Sequence, residues 1–322
     1  MRDFELNLNI PPAFILSTEV TRALKLNMPI VAFESSVVTH GLPFPENLAL
    51  ARDMESEARH QRVAPATIAV LDGKVRVGLD SDQLERLAMK EEMLKVSTRD
   101  FAPTIAKNLS GGTTVAGSIL AANTAGIQIF ATGGIGGVHK DVGGHKMSSY
   151  DISADLPALA RIPMIVVCAG VKAVLDLPAT LEYLETLGVP VIGYQTDEFP
   201  AFYCRESGLK TSSRANTPVE VVKIARAHWA FGLQSAILVV VPPPEEVALS
   251  SEIVTEAIHQ ALQEARDQDI SGQQVTPFLL DQVSVLTGGM SLRANLGLLL
   301  NNAFVAAQIA QSMMLRSREF SV

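Results

Sequence analysis

The side chains best suited to chemistry stand just past short apolar runs, where α/β proteins collect ligands beyond the carboxyl ends of strands. Glu34-Ser35-Ser36 directly follows Val31-Ala32-Phe33. A carboxylate there is partly desolvated and could hold a proton near neutrality, as a general acid must; the duller alternative is an exposed glutamate at a strand end. Cys168-Ala169-Gly170-Val171-Lys172 delivers a lysine to the end of another apolar run. Desolvation lowers an amine's pKa, and the neutral form can attack a carbonyl carbon to give a Schiff base. Lys172 could equally be one more surface lysine. Cys168 reads as a small buried hydrophobe rather than a second nucleophile.

Two glycine-rich stretches and an acidic pair add binding chemistry. Ser110-Gly111-Gly112-Thr113-Thr114 reads as a helix opening whose amides and hydroxyls suit a phosphate, or as a plain turn with a threonine cap. It lacks the Lys-Ser/Thr ending of a P-loop. Thr132-Gly133-Gly134-Ile135-Gly136-Gly137-Val138-His139 carries four glycines in five positions, which suits close approach of backbone to a ligand or a mobile lid. Its spacing does not match a dinucleotide fingerprint. In Asp151-Ile152-Ser153-Ala154-Asp155 the carboxylates share one face of a helical turn. They could cap a helix, or one could hold magnesium or manganese largely through water. His139 and His145 lack the companions of a zinc motif.

The elements that must position these residues alternate in type along the chain, which argues for α/β layers. Strand character falls at 29–33, 67–71, 74–77, 127–131, 164–168, 190–194 and 238–241. Helical spacing falls at 46–60, 81–89, 114–123, 156–161, 179–187, 253–266, 277–287 and 292–313, the last interrupted by Gly297, and another helix opens at Thr217-Pro218. Asp72-Gly73 predicts a type I′ hairpin between 67–71 and 74–77, so the sheet is mixed rather than purely parallel. No linker or repeat divides residues 1–322, and a single domain is expected.

Composition narrows the partners. The 322 residues hold 26 basic and 34 acidic side chains, a net charge of −8, and no Lys/Arg block, so a nucleic-acid polymer is not an expected partner. Only Cys168 and Cys204 occur, which fits neither a disulfide framework nor a four-ligand zinc site. The apolar runs are too short to span a bilayer, and the amino terminus carries acid where a signal peptide carries base, so a cytoplasmic protein is expected.

The order of these motifs is more telling than any one of them. Phe33-Glu34-Ser35, Thr39-His40-Gly41-Leu42-Pro43-Phe44-Pro45-Glu46-Asn47, Lys95-Val96-Ser97, Gly112-Thr113-Thr114-Val115-Ala116, the glycine stretch 130–139, Asp151-Ile152-Ser153-Ala154-Asp155-Leu156 and Val167-Cys168-Ala169-Gly170-Val171-Lys172 occur in that sequence. Gly193-Tyr194-Gln195-Thr196, Thr276-Pro277-Phe278-Leu279-Leu280 and Asn301-Asn302 follow. Over about residues 15–315 the chain resembles the pseudouridine-5′-phosphate glycosidase, or indigoidine synthase A-like, family. The resemblance implies a three-layer α/β/α fold with a mixed, mostly parallel sheet. It implies a small-molecule substrate, pseudouridine 5′-phosphate, cleaved at its carbon–carbon glycosidic bond to uracil and ribose 5-phosphate.

By the same resemblance Lys172 is the nucleophile, Glu34 the proton donor and Asp155 a partner in ring opening or proton shuttling. Asp151 is the ligand of a divalent metal, most often manganese. Ser153, Ala154, Asp155, Lys95 and Val115 meet the substrate. Lys95 faces the phosphate together with Thr113, Thr132 and His139, and Asn295 holds a polar group of uracil or sugar. A homotrimer is implied, with 296–300 offering apolar surface. Residues 140–150 are longer than the family pattern, which bears on His139 and on any lid.

Overall fold

Short runs of buried aliphatic residues make the sheet. The computed structural model describes residues 10–89, 92–140, 151–268, 270 and 275–319, with side chains as far as 314. Its strands are β1 (Phe14–Leu16), β2 (Ile30–Phe33), β3 (Ala64–Leu71), β4 (Lys74–Val77), β5 (Leu94–Val96), β6 (Gly111–Thr113), β7 (Ile129–Ala131), β8 (Val138–His139), β9 (Ile165–Cys168), β10 (Leu175–Asp176), β11 (Val191–Tyr194), β12 (Ser213–Ala215) and β13 (Ile237–Val240). In β2, β9, β11 and β13 every residue is buried. That is the signature of a parallel sheet covered on both faces.

The helices are α1 (Thr18–Lys25), α2 (Glu46–His60), α3 (Ser81–Met89), α4 (Phe101–Ala106), α5 (Val115–Thr124), α6 (Asp155–Leu159), α7 (Leu177–Thr186), α8 (Pro218–Ala230), α9 (Ser251–Asp267), α10 (Val275–Leu286) and α11 (Met290–Glu319). Local sequence explains their starts. The side chains of Thr114, Asp176 and Thr217 accept from main-chain N–H groups in the first turns of α5, α7 and α8, the last two with proline in that turn. Among the described residues no single helix is long and apolar enough to cross a membrane.

The main sheet runs β1-β4-β3-β2-β7-β9-β13-β11-β12, with β6 on β3 and β5 on β6. It is mixed: β3 is antiparallel to β4 and β6, and the other pairings are parallel. The β3–β4 turn is the expected hairpin, with Asp72 and Gly73 at φ 50° and 70°. Helices α2 and α8 pack on α11, which crosses β2, β7 and β9, whereas α5 packs on α6 and on β2, β3 and β4. Right-handed crossovers place these two sets on opposite faces of the sheet, giving three layers. From β2 the chain crosses through α2 to β3, but from β7 it crosses the other way through α6 to β9. The direction of winding therefore reverses between β2 and β7. Their register, Phe33 beside Ala131, brings the next residues, Glu34 and Thr132, to the same end of the sheet.

Three expectations need correction. Gly111 and Gly112 lie in β6 and do not open a helix; a Cβ on Gly112 would collide with Thr39 Oγ1 and lie 2.8 Å from the Ser35 carbonyl oxygen. The final helix passes through Gly297 without a break, and a Cβ there would lie 2.8 Å from a Val247 methyl. Within 296–300, expected to offer apolar surface, Leu298 and Leu299 are instead buried in the core cluster that runs from Val20 to Met313, and Leu296 and Leu300 are only partly buried. Residues 141–150, most of the longer segment, lie outside the described residues.

Gly112→Ala should lower the free energy of unfolding by about 1–3 kcal/mol, the usual cost of forcing a group into filled space. Chemical denaturation compared with the wild-type chain measures it; an unchanged midpoint contradicts the packing described.

Candidate active site

Glu34 directly follows β2, with its carboxylate buried. The hydroxyls of Ser36 and Thr132 donate to its two oxygens. Thr132 sits past the end of β7, so the bond between Glu34 and Thr132 bridges the winding reversal. The chain then leaves β2 through a π-helical turn, Val37–Gly41, a rare conformation found often at functional sites. That turn carries His40 to the cleft wall. His40 Nε2 donates to the Met93 carbonyl at 3.0 Å, and its Nδ1 lies 2.6 Å from Thr39 Oγ1. Burial first and the Lys95 charge second hold this imidazole below its ordinary pKa, which favours the neutral ring.

Lys172 is fixed by the glycine stretch. Ala169 N–H donates to the Gly133 carbonyl at 2.8 Å, Ile135 N–H to Gly170 at 3.0 Å, and Lys172 N–H to Ile135 at 3.1 Å. The two loops thus run side by side. The glycines answer to packing: a Cβ on Gly134 would meet the Phe202 ring at 2.6 Å, and Gly136 abuts Ser153 and Asp155. Cys168, wholly buried, has its thiol pushed up to about 12 by desolvation, which leaves it a hydrophobe.

The remaining charged groups converge on the same cleft. Lys95, on β5, is held below the ordinary lysine range by burial first and by the Lys172 charge second, opposed by Glu34 and Asp155. Asp155, expected to assist ring opening, braces the walls: one oxygen accepts from Ala116 N–H and the other from Gly136 N–H, each at 2.8 Å. It ties the start of α5 to the glycine stretch. Asp155 N–H in turn donates to Ser153 Oγ at 3.2 Å, and Ala154 precedes the first turn of α6. The Val115 N–H, at the start of α5, has no partner among the described residues. It is a donor left for a ligand.

His139 Nδ1 lies 3.7 Å from an Asp151 carboxylate oxygen. Burial holds His139 low; Asp151 raises it, and Lys95 and Lys172 lower it further. The Asp151 side chain is 56% exposed. Among the described residues no three His, Cys, Asp or Glu side chains form a metal cage. A single exposed carboxylate such as Asp151 could hold a hard divalent ion only with water completing its shell, not as a tightly enclosed ion.

The cleft has two lobes that share Ser36, Lys95, Lys172 and Thr276. A polar lobe of about 500 Å³ holds Val115, His139, Asp151, Ser153, Ala154 and Asp155. A smaller, more apolar lobe holds Glu34, His40, Phe202, Leu280 and Asn295. Thr113 does not reach either: its hydroxyl is buried and donates to the Ile68 carbonyl. Thr132 has its hydroxyl on Glu34 and is otherwise buried. Ser36, His40, Phe202 and Thr276 were not singled out from sequence, although all but Phe202 lie within or beside the ordered motifs.

Residues 19–312 match the family model described as indigoidine synthase A like protein. The chain belongs to this family. The pseudouridine-5′-phosphate glycosidase of Caldanaerobacter subterraneus subsp. tengcongensis is 49% identical over 295 residues, covering 92% of this chain and 95% of its own. The enzyme of the same name from Myxococcus xanthus is 50% identical over 295 residues, 91% of this chain and 96% of its own. A crystal structure of prealnumycin C-glycosynthase in complex with ribulose 5-phosphate superposes with TM-score 0.87 at 36% identity, covering 96% and 99% of the two chains. An indigoidine synthase A-like protein from Thermotoga maritima gives 0.82 at 34% identity, covering 89% and 93%.

The depressed pKa of Lys95 has a testable sign. An anion bound by this ammonium loses affinity as pH rises through a value below the ordinary lysine pKa of about 10.4. Titration calorimetry with ribose 5-phosphate between about pH 7 and pH 10 should show that loss, and Lys95→Gln should flatten it. A wild-type-like slope in the variant contradicts the placement of Lys95 at the anion.

Proposed function

We propose that this chain is a pseudouridine-5′-phosphate glycosidase that works through a covalent lysine adduct. The observation that carries the reading is the opening of Lys172 and Glu34 into one lobe, beside a polar lobe sized for a sugar phosphate. The names of its relatives support the substrate.

The leaving atom explains why both groups are needed. An ordinary glycosidase protonates a leaving oxygen between two carboxylates, but here the atom that must leave is carbon C5 of uracil. The C1′–O4′ bond of the ribose breaks with its electron pair on O4′, which takes up a proton, and the Lys172 nitrogen lone pair bonds to C1′ as the amine gives up a proton. The C1′–C5 bond then breaks as the lysine nitrogen lone pair forms C1′=N and C5 takes the Glu34 proton. Water hydrolyses the imine, returns the amine and frees ribose 5-phosphate. The phosphate lies near Lys95 and the start of α5, and uracil lies in the apolar lobe against Phe202 and Leu280 with Asn295 as a polar partner. Asp155 holds the walls in register. Asp151 is the residue that would hold a divalent ion, manganese in our reading, which supplies positive charge near the sugar phosphate when bound.

Lys172→Ala should abolish uracil release from pseudouridine 5′-phosphate while leaving the melting temperature within a few degrees of wild type. Glu34→Gln should cut kcat about 10²- to 10⁴-fold, the usual contribution of a positioned general acid. Uracil formation followed by chromatography measures both; turnover retained by Lys172→Ala excludes the covalent route.

A further inference from the structure

Asn302 lies on α11, wholly buried beneath the turn that follows β7. Its Nδ2 donates to the Thr132 carbonyl at 2.8 Å and reaches the Gly133 carbonyl at 3.4 Å. Both partners can only accept, so the amide must present its NH₂ side to them. Its Oδ1 is thereby left buried without a hydrogen-bond partner among the described residues. An orphaned buried acceptor is costly, and a leucine would remove this one only by leaving the Thr132 carbonyl unpaired instead. What distinguishes the amide from an apolar residue is therefore which group is held: it fixes the Thr132 carbonyl and leaves its own oxygen unpaired.

What it reaches is the residue that holds Glu34. Thr132 N–H donates to the Val167 carbonyl at 3.0 Å, its carbonyl accepts from Asn302, and its hydroxyl donates to Glu34. All three polar groups of Thr132 are engaged, one by β9, one by α11 and one by the carboxylate. We propose that Asn302 is a positioning residue for the reaction: it fixes the Thr132 peptide so that the Thr132 hydroxyl is aimed at Glu34. The proposal rests on the reading of Glu34 as proton donor given above. Other titratable groups facing the lobe with Glu34 are Lys95 on β5, Lys172 after β9 and His40 in the π-turn. All remain in the variants below.

The test uses the full chain with Asn302→Leu and Thr132→Val, singly and together, measuring kcat and KM for uracil release across pH and the melting temperature. The Thr132 hydroxyl touches the group read as proton donor, so losing it should change the pH profile of kcat, which a merely structural role would leave unmoved. Each single variant should lose about tenfold in kcat, the worth of one hydrogen bond to a charged group, with KM changed less than about twofold. The double variant should be no worse than Thr132→Val alone. The melting temperature should stay near wild type, because Asn302→Leu removes the orphaned Oδ1 and leaves the Thr132 carbonyl orphaned in its place. Wild-type kcat and pH profile in Asn302→Leu, or multiplying losses in the double variant, overturn the proposal. Thr132→Val carries the test if Asn302→Leu does not fold, since an unshifted profile there also overturns it. A wild-type chain that releases no uracil overturns the assigned activity instead.

Discussion

A buried carboxylate shares one cleft with two lysines, and the sheet is wound so that this happens at a single place. Glu34 just past β2, Lys95 on β5 and Lys172 in the loop after β9 meet where winding reverses between β2 and β7. Charges that interact by about 1 kcal/mol at 4 Å in water interact several-fold more strongly in a half-buried site. The depression of Lys95 by burial and by Lys172, against the opposing pull of Glu34 and Asp155, is the local expression of that coupling. Two strand pairings fix the arrangement, β2 on β7 and β7 on β9. A slip of one residue in either would turn Glu34 or Thr132 to the other face of the sheet.

Packing against other parts of the chain fills the space that the glycines leave. Gly112, Gly134, Gly136 and Gly170 each stand where a Cβ would strike a hydroxyl, a ring or a carbonyl of another segment. The loops after β7 and β9 can therefore run side by side, and the amides of Ala116 and Gly136 can both reach Asp155. Rigid loops of this kind hold reacting groups in place before substrate arrives, which is how positioning lowers a barrier. The same closeness explains why Asp155 acts as a brace although it borders the cleft.

Much of the frame could be read from the sequence, because its signals are local. The apolar runs of β2, β9 and β13, the Asp72-Gly73 turn, the helix Glu46–His60 and the Thr217-Pro218 start depend on neighbours a few residues away. The three-residue strands Phe14–Leu16 and Leu94–Val96 are too short to show a period, and they went unread. Gly111-Gly112-Thr113 misled for a different reason: its glycines answer to Leu94, Ser35 and Thr39, and its threonine hydroxyl to Ile68, all distant in sequence. His40 was visible as a motif residue, but no pattern announces a π-turn. Ordered motifs thus pointed to Glu34 and Lys172, which the fold brings to one cleft, while the hydrogen bonds around them are properties of the folded chain.

In the proposed reaction one amine bonds to an opened pentose. Reduction with borohydride in the presence of ribose 5-phosphate, followed by peptide mapping with mass spectrometry, tests it most directly. The account predicts a stable pentose-phosphate adduct on the peptide containing Lys172 and no adduct on Lys95. An unmodified Lys172, or label found on another lysine, contradicts it.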